Sequence, residues 1–271
     1  MSGTPMRDWY LTRSSAEKDV HLNFYKTGLK SVIANFRSSQ ETLGHLNISG
    51  SPDRLADAAR SKVLTRSEYH LVRRARRDVS KLPLFALVFL ACGEFTPLVV
   101  VFMSGVVPWP CRIPNQVLSE RRNLEERRAI SFRGLVEGPP PASSLAQQGV
   151  EALTPQQALH AASSLGLYSR RWPEGLVGTP PLLDWLVKRR LRKRLEYLDL
   201  DDLLIARDGG VGQMELEEVT VALVERGVDT LGKSETQLKE LLRIWLLTKE
   251  KSPILQLVLT RPSVWQKSKE G

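Results

Sequence analysis

The stretch Leu82–Trp109 reads LPLFALVFLACGEFTPLVVVFMSGVVPW. It runs 28 residues with one charged side chain, Glu94, close to its middle. Apolar runs of about 18 residues or more read as membrane spans, because about 20 helical residues cross the hydrocarbon core. As one helix the stretch would reach roughly 42 Å at 1.5 Å per residue, enough to tilt or kink and still cross. A carboxyl at that depth costs at least about 2.5–3.5 kcal/mol, which marks Glu94 as a functional candidate. Pro97, three residues on, removes a backbone donor and kinks a helix. A broken helix exposes carbonyls that coordinate ions, so Glu94 and Pro97 form a candidate ion-transport pair. The expectation is an integral membrane protein with one span, followed by a soluble region. One span cannot enclose a pathway alone, so transport would need a homo-oligomer.

The charge around this stretch is asymmetric. Residues 1–150 carry 21 Lys and Arg against 13 Asp and Glu, a net of +8, whereas residues 151–271 carry 18 and 17, a net of +1. The excess sits beside the span, in Arg73–Arg77 (RRARR) and in the pairs Arg121–Arg122 and Arg127–Arg128. Juxtamembrane cations attract anionic lipid, each worth about 1 kcal/mol near the surface. Nucleic acid is the sharper alternative for such charge. The two cysteines, Cys92 and Cys111, read as reduced and structural. They cannot build a disulfide framework, and neither they nor the four histidines show zinc-ligand spacing. No apolar core precedes Leu82, so the start is not a secretory signal. Asp8, Glu17 and Asp19 among its basic residues make it a weak mitochondrial presequence.

Everything else reads as helix. Leu22, Tyr25, Leu29, Val32, Ile33 and Phe36 recur at helical spacing over 21–40. Thr65-Arg-Ser-Glu68 has the S/T-x-x-E pattern of a capping box and opens a helix that feeds the span. GPPPASS (Gly138–Ser144) is the clearest linker and the expected domain boundary. Beyond it, Thr154-Pro155 opens a helix closed by Gly166. A longer helix over 180–200 puts Leu183, Val187, Leu191, Leu195 and Leu198 on one face. The glycine turn Arg207–Gly212, a helix ended by Gly227, and a capping box at Ser234-x-x-Gln237 follow. No segment alternates with the period of two that strands need. The expected fold is all-α. The expected domains are an N-terminal segment (1–64, partly disordered), lead-in helix and span (65–114), charged helix and linker (115–150), and a helical domain (151–271).

Two further clusters carry potential chemistry. KRRLRKR places Lys188, Arg189, Arg190, Arg192, Lys193 and Arg194, six basic residues in seven, on the long helix. Its apolar contacts fall to Val187, Leu191 and Leu195, and the cations spread over the solvent side, where they can hold RNA phosphates or simply be solvated. The acidic string Asp199, Asp201, Asp202 and Asp208 lacks the D-x-[DN]-x-[DN]-G register of a calcium loop. No metal is therefore expected. There is no G-x-S-x-G, no phosphate-binding glycine loop and no supported Cys/His pair. The expectation is a protein that is not an enzyme and needs no cofactor.

These segments, in this order, resemble the Letm family, leucine zipper–EF-hand-containing transmembrane proteins of the mitochondrial inner membrane. Ser67–Phe102 is similar to the family's basic lead-in and its span with a central Glu followed by a proline. Leu195–Gly227, LEYLDLDDLLIARDGGVGQMELEEVTVALVERG, resembles its L-R-x-D-D-x-L-I-x-x-x-G-V pattern and the helix ending in R-G. Ser234–Leu259 resembles the closing S-x-x-x-L-x-x-x-L-x-x-W-L helix. The resemblance implies an inner-membrane protein whose matrix-facing helical domain, akin to the 14-3-3 fold, binds mitochondrial ribosomes. It also implies support for membrane insertion of ribosomal products, and for potassium/proton homeostasis, with Glu94 in the transport role. The alternative is an oligomeric cation/proton exchanger using Glu94 as its main activity. A third reading is a nucleic-acid module, since the helix pair at 215–246 resembles a SAP-type motif.

Overall fold

The computed structural model describes residues 6–92, 108–112, 114–135, 138–168 and 181–260. Among these residues every regular element is helical, as the missing period of two predicts. The chain divides into two compact units, Met1–Leu118 and Ser119–Gly271. The division does not fall at the proline-rich linker. Residues before the linker are bound to those past it, as when Arg128 Nε donates to the Ser164 carbonyl at 2.6 Å.

The first unit is built from α1 (Met6–His45), α2 (Pro52–Arg60) and α3 (Arg66–Cys92). The short helix expected over 21–40 is the middle of a 40-residue one. In α1, Gly28, Val32, Ser39 and Leu43 are buried at spacings of four and seven, one stripe of a 3.6-residue period, and α1 packs along α3. Ser51 caps α2 by accepting the Arg54 N–H, with Pro52 preorganised at the first position. The Thr65–Glu68 capping box forms at the start of α3: the Glu68 carboxylate accepts the Thr65 N–H at 2.9 Å and Thr65 Oγ1 accepts the Glu68 N–H at 3.3 Å.

A short 3₁₀ turn, Trp109–Cys111, returns to this pair of helices. The Trp109 N–H donates to Asp78 Oδ1 at 3.1 Å. A Cβ on Gly28 would lie 2.7 Å from the Cys111 sulfur and 2.9 Å from the Pro110 carbonyl, so only glycine admits the turn against α1. This contact corrects the single through-span. A helix crossing between Leu82 and Trp109 would hold its ends some 30 Å apart, yet Asp78 and Trp109 are hydrogen-bonded. Among the described residues no helix is long and apolar enough to cross a membrane. Most of the expected span, including Glu94 and Pro97, lies outside the described residues.

The second unit comprises the residues from Ser119 on of α4 (Pro114–Gly134), then α5 (Ala142–Gln148), α6 (Pro155–Ser164), α7 (Pro181–Arg207), α8 (Leu216–Glu225), α9 (Glu235–Lys249) and α10 (Ile254–Leu259). Ser234/Gln237 forms the expected capping box, Gln157 completes the expected cap at Thr154 into a second, and Glu215/Glu218 forms a third. α7 is the spine. Val187, Leu191, Leu198, Asp201, Asp202 and Ile205 are buried along it, and it continues past the expected end at 200, through Asp201 and Asp202, to Arg207. The alanines of α6, Ala158, Ala161 and Ala162, are fully buried, and α6 packs on α7 and α10. Gly227 closes α8 at φ +83°, and a Cβ there would lie 3.0 Å from the Ser164 carbonyl at the end of α6. Left-handed backbone and close approach both require glycine at this joint.

Candidate ribosome-contact face and the buried ion cluster behind it

The exposed chemistry of the second unit rests on an ionic core. Arg226, at the end of α8, is 1% exposed and donates four hydrogen bonds. Its Nε and Nη2 reach Asp202 Oδ1 at 3.0 and 2.6 Å, Nη2 reaches Asp201 Oδ2 at 2.7 Å, and Nη1 reaches the Ala222 carbonyl at 2.9 Å. Trp245 of α9 donates its indole N–H to both Asp202 oxygens at 3.2 and 3.1 Å, with Arg226 6.0 Å from its ring centre. Lys249 approaches Asp202 at 3.6 Å and Asp199 at 2.7 Å. Burial by itself pulls the Arg226 pKa down, but Asp202 and then Asp201 overturn this and raise it above its ordinary value. Buried charges survive only when paired and hydrogen-bonded. Here two acids meet Arg226 and Lys249, and the cluster ties α7, α8 and α9 into one body. The helix pair resembling a SAP motif is therefore welded to α7 through these residues rather than free as a module.

Arg128 makes a second buried junction, in α4. Its Nε donates to the Ser164 carbonyl at 2.6 Å and its Nη2 to the Val224 carbonyl at 2.7 Å, satisfying the last turns of α6 and α8 together. Glu125 pairs with its Nη1. Burial lowers the Arg128 pKa and raises that of Glu125, and each offsets part of the other's shift. Arg127 donates to the Tyr168 carbonyl at 2.7 Å. Two of the arginines read from sequence as juxtamembrane charge are therefore internal ties of the second unit.

With that frame fixed, the six basic residues of α7 separate into two sets. Lys188 pairs with Asp184 one turn back at 3.2 Å and is largely covered. Arg194 is spent on Glu225: its Nη2 donates to the carbonyl at 3.2 Å and its Nη1 pairs with the carboxylate at 3.4 Å, beside a Tyr197 hydroxyl that donates at 2.6 Å. Arg189, Arg190, Arg192 and Lys193 are exposed. Arg189 lies over the Trp185 ring at 5.3 Å and Arg190 over the Tyr168 ring at 5.5 Å. Arg192 meets Glu151 at 2.5 Å, with both side chains more than half in water. The exposed set is a cationic, aromatic-backed strip on a rigid helix, suited to phosphates or acidic side chains. Among the described residues no group of His, Cys, Asp and Glu could hold a metal ion. Asp201 and Asp202 serve Arg226 instead.

The sequence reading missed Arg226, Arg128, Trp185 and Tyr168. For Arg226 a signal was present: D-D, R-G and W are the anchors of the family pattern, and the fold brings those residues together. Arg128 left no such mark, because its partners are backbone carbonyls 36 and 96 residues away.

Residues 177–264 match the family model described as "LETM1-like, RBD". Residues 19–133 match a second model, "Pentamidine resistance factor domain". The part of the resemblance drawn on Ser67–Phe102 thus falls under the second model, not the first. No curated protein and no solved structure matches the chain.

Proposed function

We propose that the chain, a Letm family member through its LETM1-like ribosome-binding domain at residues 177–264, docks on the mitochondrial ribosome by that domain. The observation that carries the reading is the exposed strip Arg189, Arg190, Arg192 and Lys193, lying inside the matched domain on a helix whose opposite side is locked by the Arg226 cluster. A ribosome presents phosphate and acidic protein surface, and counterion release makes such contacts salt-dependent. Rigid presentation means little ordering is required on docking.

Docking of this kind serves the membrane insertion of mitochondrial translation products if the chain also sits at the inner membrane. The apolar stretch 82–109 is the segment that would enter lipid. Since Asp78 and Trp109 meet, the chain around it stays on one side, which suits attachment to one face more than a bundle of single spans. The basic strip is built and exposed, and it carries the reading in preference to exchange through Glu94, which lies outside the described residues. In this reading any influence on cation homeostasis follows from what the ribosome delivers to the membrane.

The test is co-sedimentation of the whole chain with mitochondrial ribosomes across a potassium chloride series. The quadruple variant R189Q/R190Q/R192Q/K193Q is expected to lose at least 10-fold in binding, while K188Q keeps it. Undiminished binding by the quadruple variant would overturn the site.

A further inference from the structure

We propose that the strip on α7 binds unpaired RNA, with Trp185 as the stacking residue. The inference rests on the ribosome-binding reading and names the chemistry of the surface met. Trp185 is 52% exposed, although α7 offers a buried face one step away at Val187. It sits at the head of the strip, at helical spacing from Arg189, Arg192 and Lys193 (four, seven and eight residues), so all four lie along one side. Arg189 lies over its ring at 5.3 Å, and more than half of the residue still faces water.

A guanidinium over an indole has its planar fork held ready for phosphate, and the indole has aromatic surface left for a base. Arg190, over Tyr168 at 5.5 Å, repeats the device next door. Three carboxylates border the strip, with Glu196 exposed at its C-terminal end. Asp184 is matched by Lys188, and Glu151 by Arg192. The cations left facing outward are Arg189 and Arg190, each beside an aromatic ring, and Lys193. A duplex offers phosphates and 2′-hydroxyls but keeps its bases stacked on one another, whereas loops and single strands present bases to an aromatic platform. An acidic protein surface would use the cations and leave the exposed indole idle.

The experiment measures fluorescence anisotropy of a labelled 20-nucleotide mixed-sequence single strand, and of its duplex, against the whole purified chain between 50 and 200 mM potassium chloride. The single strand is expected to bind tighter than the duplex. Trp185→Ala should weaken it about 10-fold with the salt slope unchanged, since a stacked base contributes without counterion release. Trp185→Phe should restore most of the loss. R189Q/R190Q/K193Q should flatten the logarithmic salt slope by about 2, at ~0.7 per phosphate contact on a single strand. Equal binding of strand and duplex would overturn the proposal, as would indifference to Trp185→Ala. So would a Trp185 effect confined to anionic vesicles. If ribosomes still co-sediment while the single strand does not bind, the RNA assignment alone falls. If neither binds, the ribosome reading falls with it.

Discussion

Replacing Arg226 by Met tests the architecture that presents the strip. The substitution keeps most of the side-chain volume and removes one fully buried positive charge. Asp201 and Asp202, whose side chains are 0% and 2% exposed, then lose their buried guanidinium, and Asp202 keeps the Trp245 indole N–H and Lys249, 3.6 Å away and partly committed to Asp199. Removing one partner of a buried pair costs about 3–5 kcal/mol. The Ala222 carbonyl loses its side-chain donor, but keeps its helix partner, the Arg226 N–H at 3.2 Å, so this adds little. We expect a loss of about 4 kcal/mol, a large share of the ~5–15 kcal/mol that holds a domain together. Hydrogen exchange in the whole chain reads this locally: amides of α7 and α9 should lose protection by about 10³-fold, at 1.4 kcal/mol per decade. Neutralising the orphaned acids in R226M/D201N/D202N should recover at least half of the loss, because no uncompensated charge stays buried. Lys249 still has Asp199 in that variant. A loss below ~1 kcal/mol for R226M, or a triple variant no better than the single, would refute the argument that paired charge holds these helices together.

Other outcomes follow from the same contacts. Gly227→Ala should destabilise the second unit by about 1–2 kcal/mol, from left-handed backbone alone, and by more if the Ser164 carbonyl cannot move; thermal unfolding measures it. Burial, with Asp78 adding to it, pushes the Cys111 thiol up to about 11. The fold therefore favours the neutral thiol, and ~2–3 kcal/mol of stability present below pH 9 should be lost as pH rises through 11. Cys111→Ser should remove that alkaline slope, and an unchanged slope would show that another group carries it. Glu151→Gln frees Arg192 for an incoming anion, so ribosome binding should tighten about 2- to 3-fold at low salt and converge with the parent at high salt.

The sequence revealed local structure well where the signal was local. The capping boxes at Thr65 and Ser234, the cap at Thr154 and the closing glycines Gly166 and Gly227 each act through neighbours a few residues away, and each appears in the fold. The basic strip was legible as composition. Its division was not: whether Arg194 faces water or holds Glu225 depends on α8, 31 residues on. The helices on either side of the Gly/Pro-rich run fall in one compact unit for a related reason. A Gly/Pro-rich run marks flexible backbone but does not tell whether a side chain such as Arg128 bridges it. The apolar stretch read as a span because periodicity and length carry no information about whether the two ends meet. That fact sits in one hydrogen bond between Asp78 and Trp109.

The most direct measurement places a photo-crosslinking side chain at Lys193 of the whole chain in intact, translating mitochondria. The account predicts crosslinks to ribosomal components that disappear when the ribosomes are stripped by high salt. Crosslinks confined to lipid or to membrane proteins, with ribosomes present and translating, would contradict it.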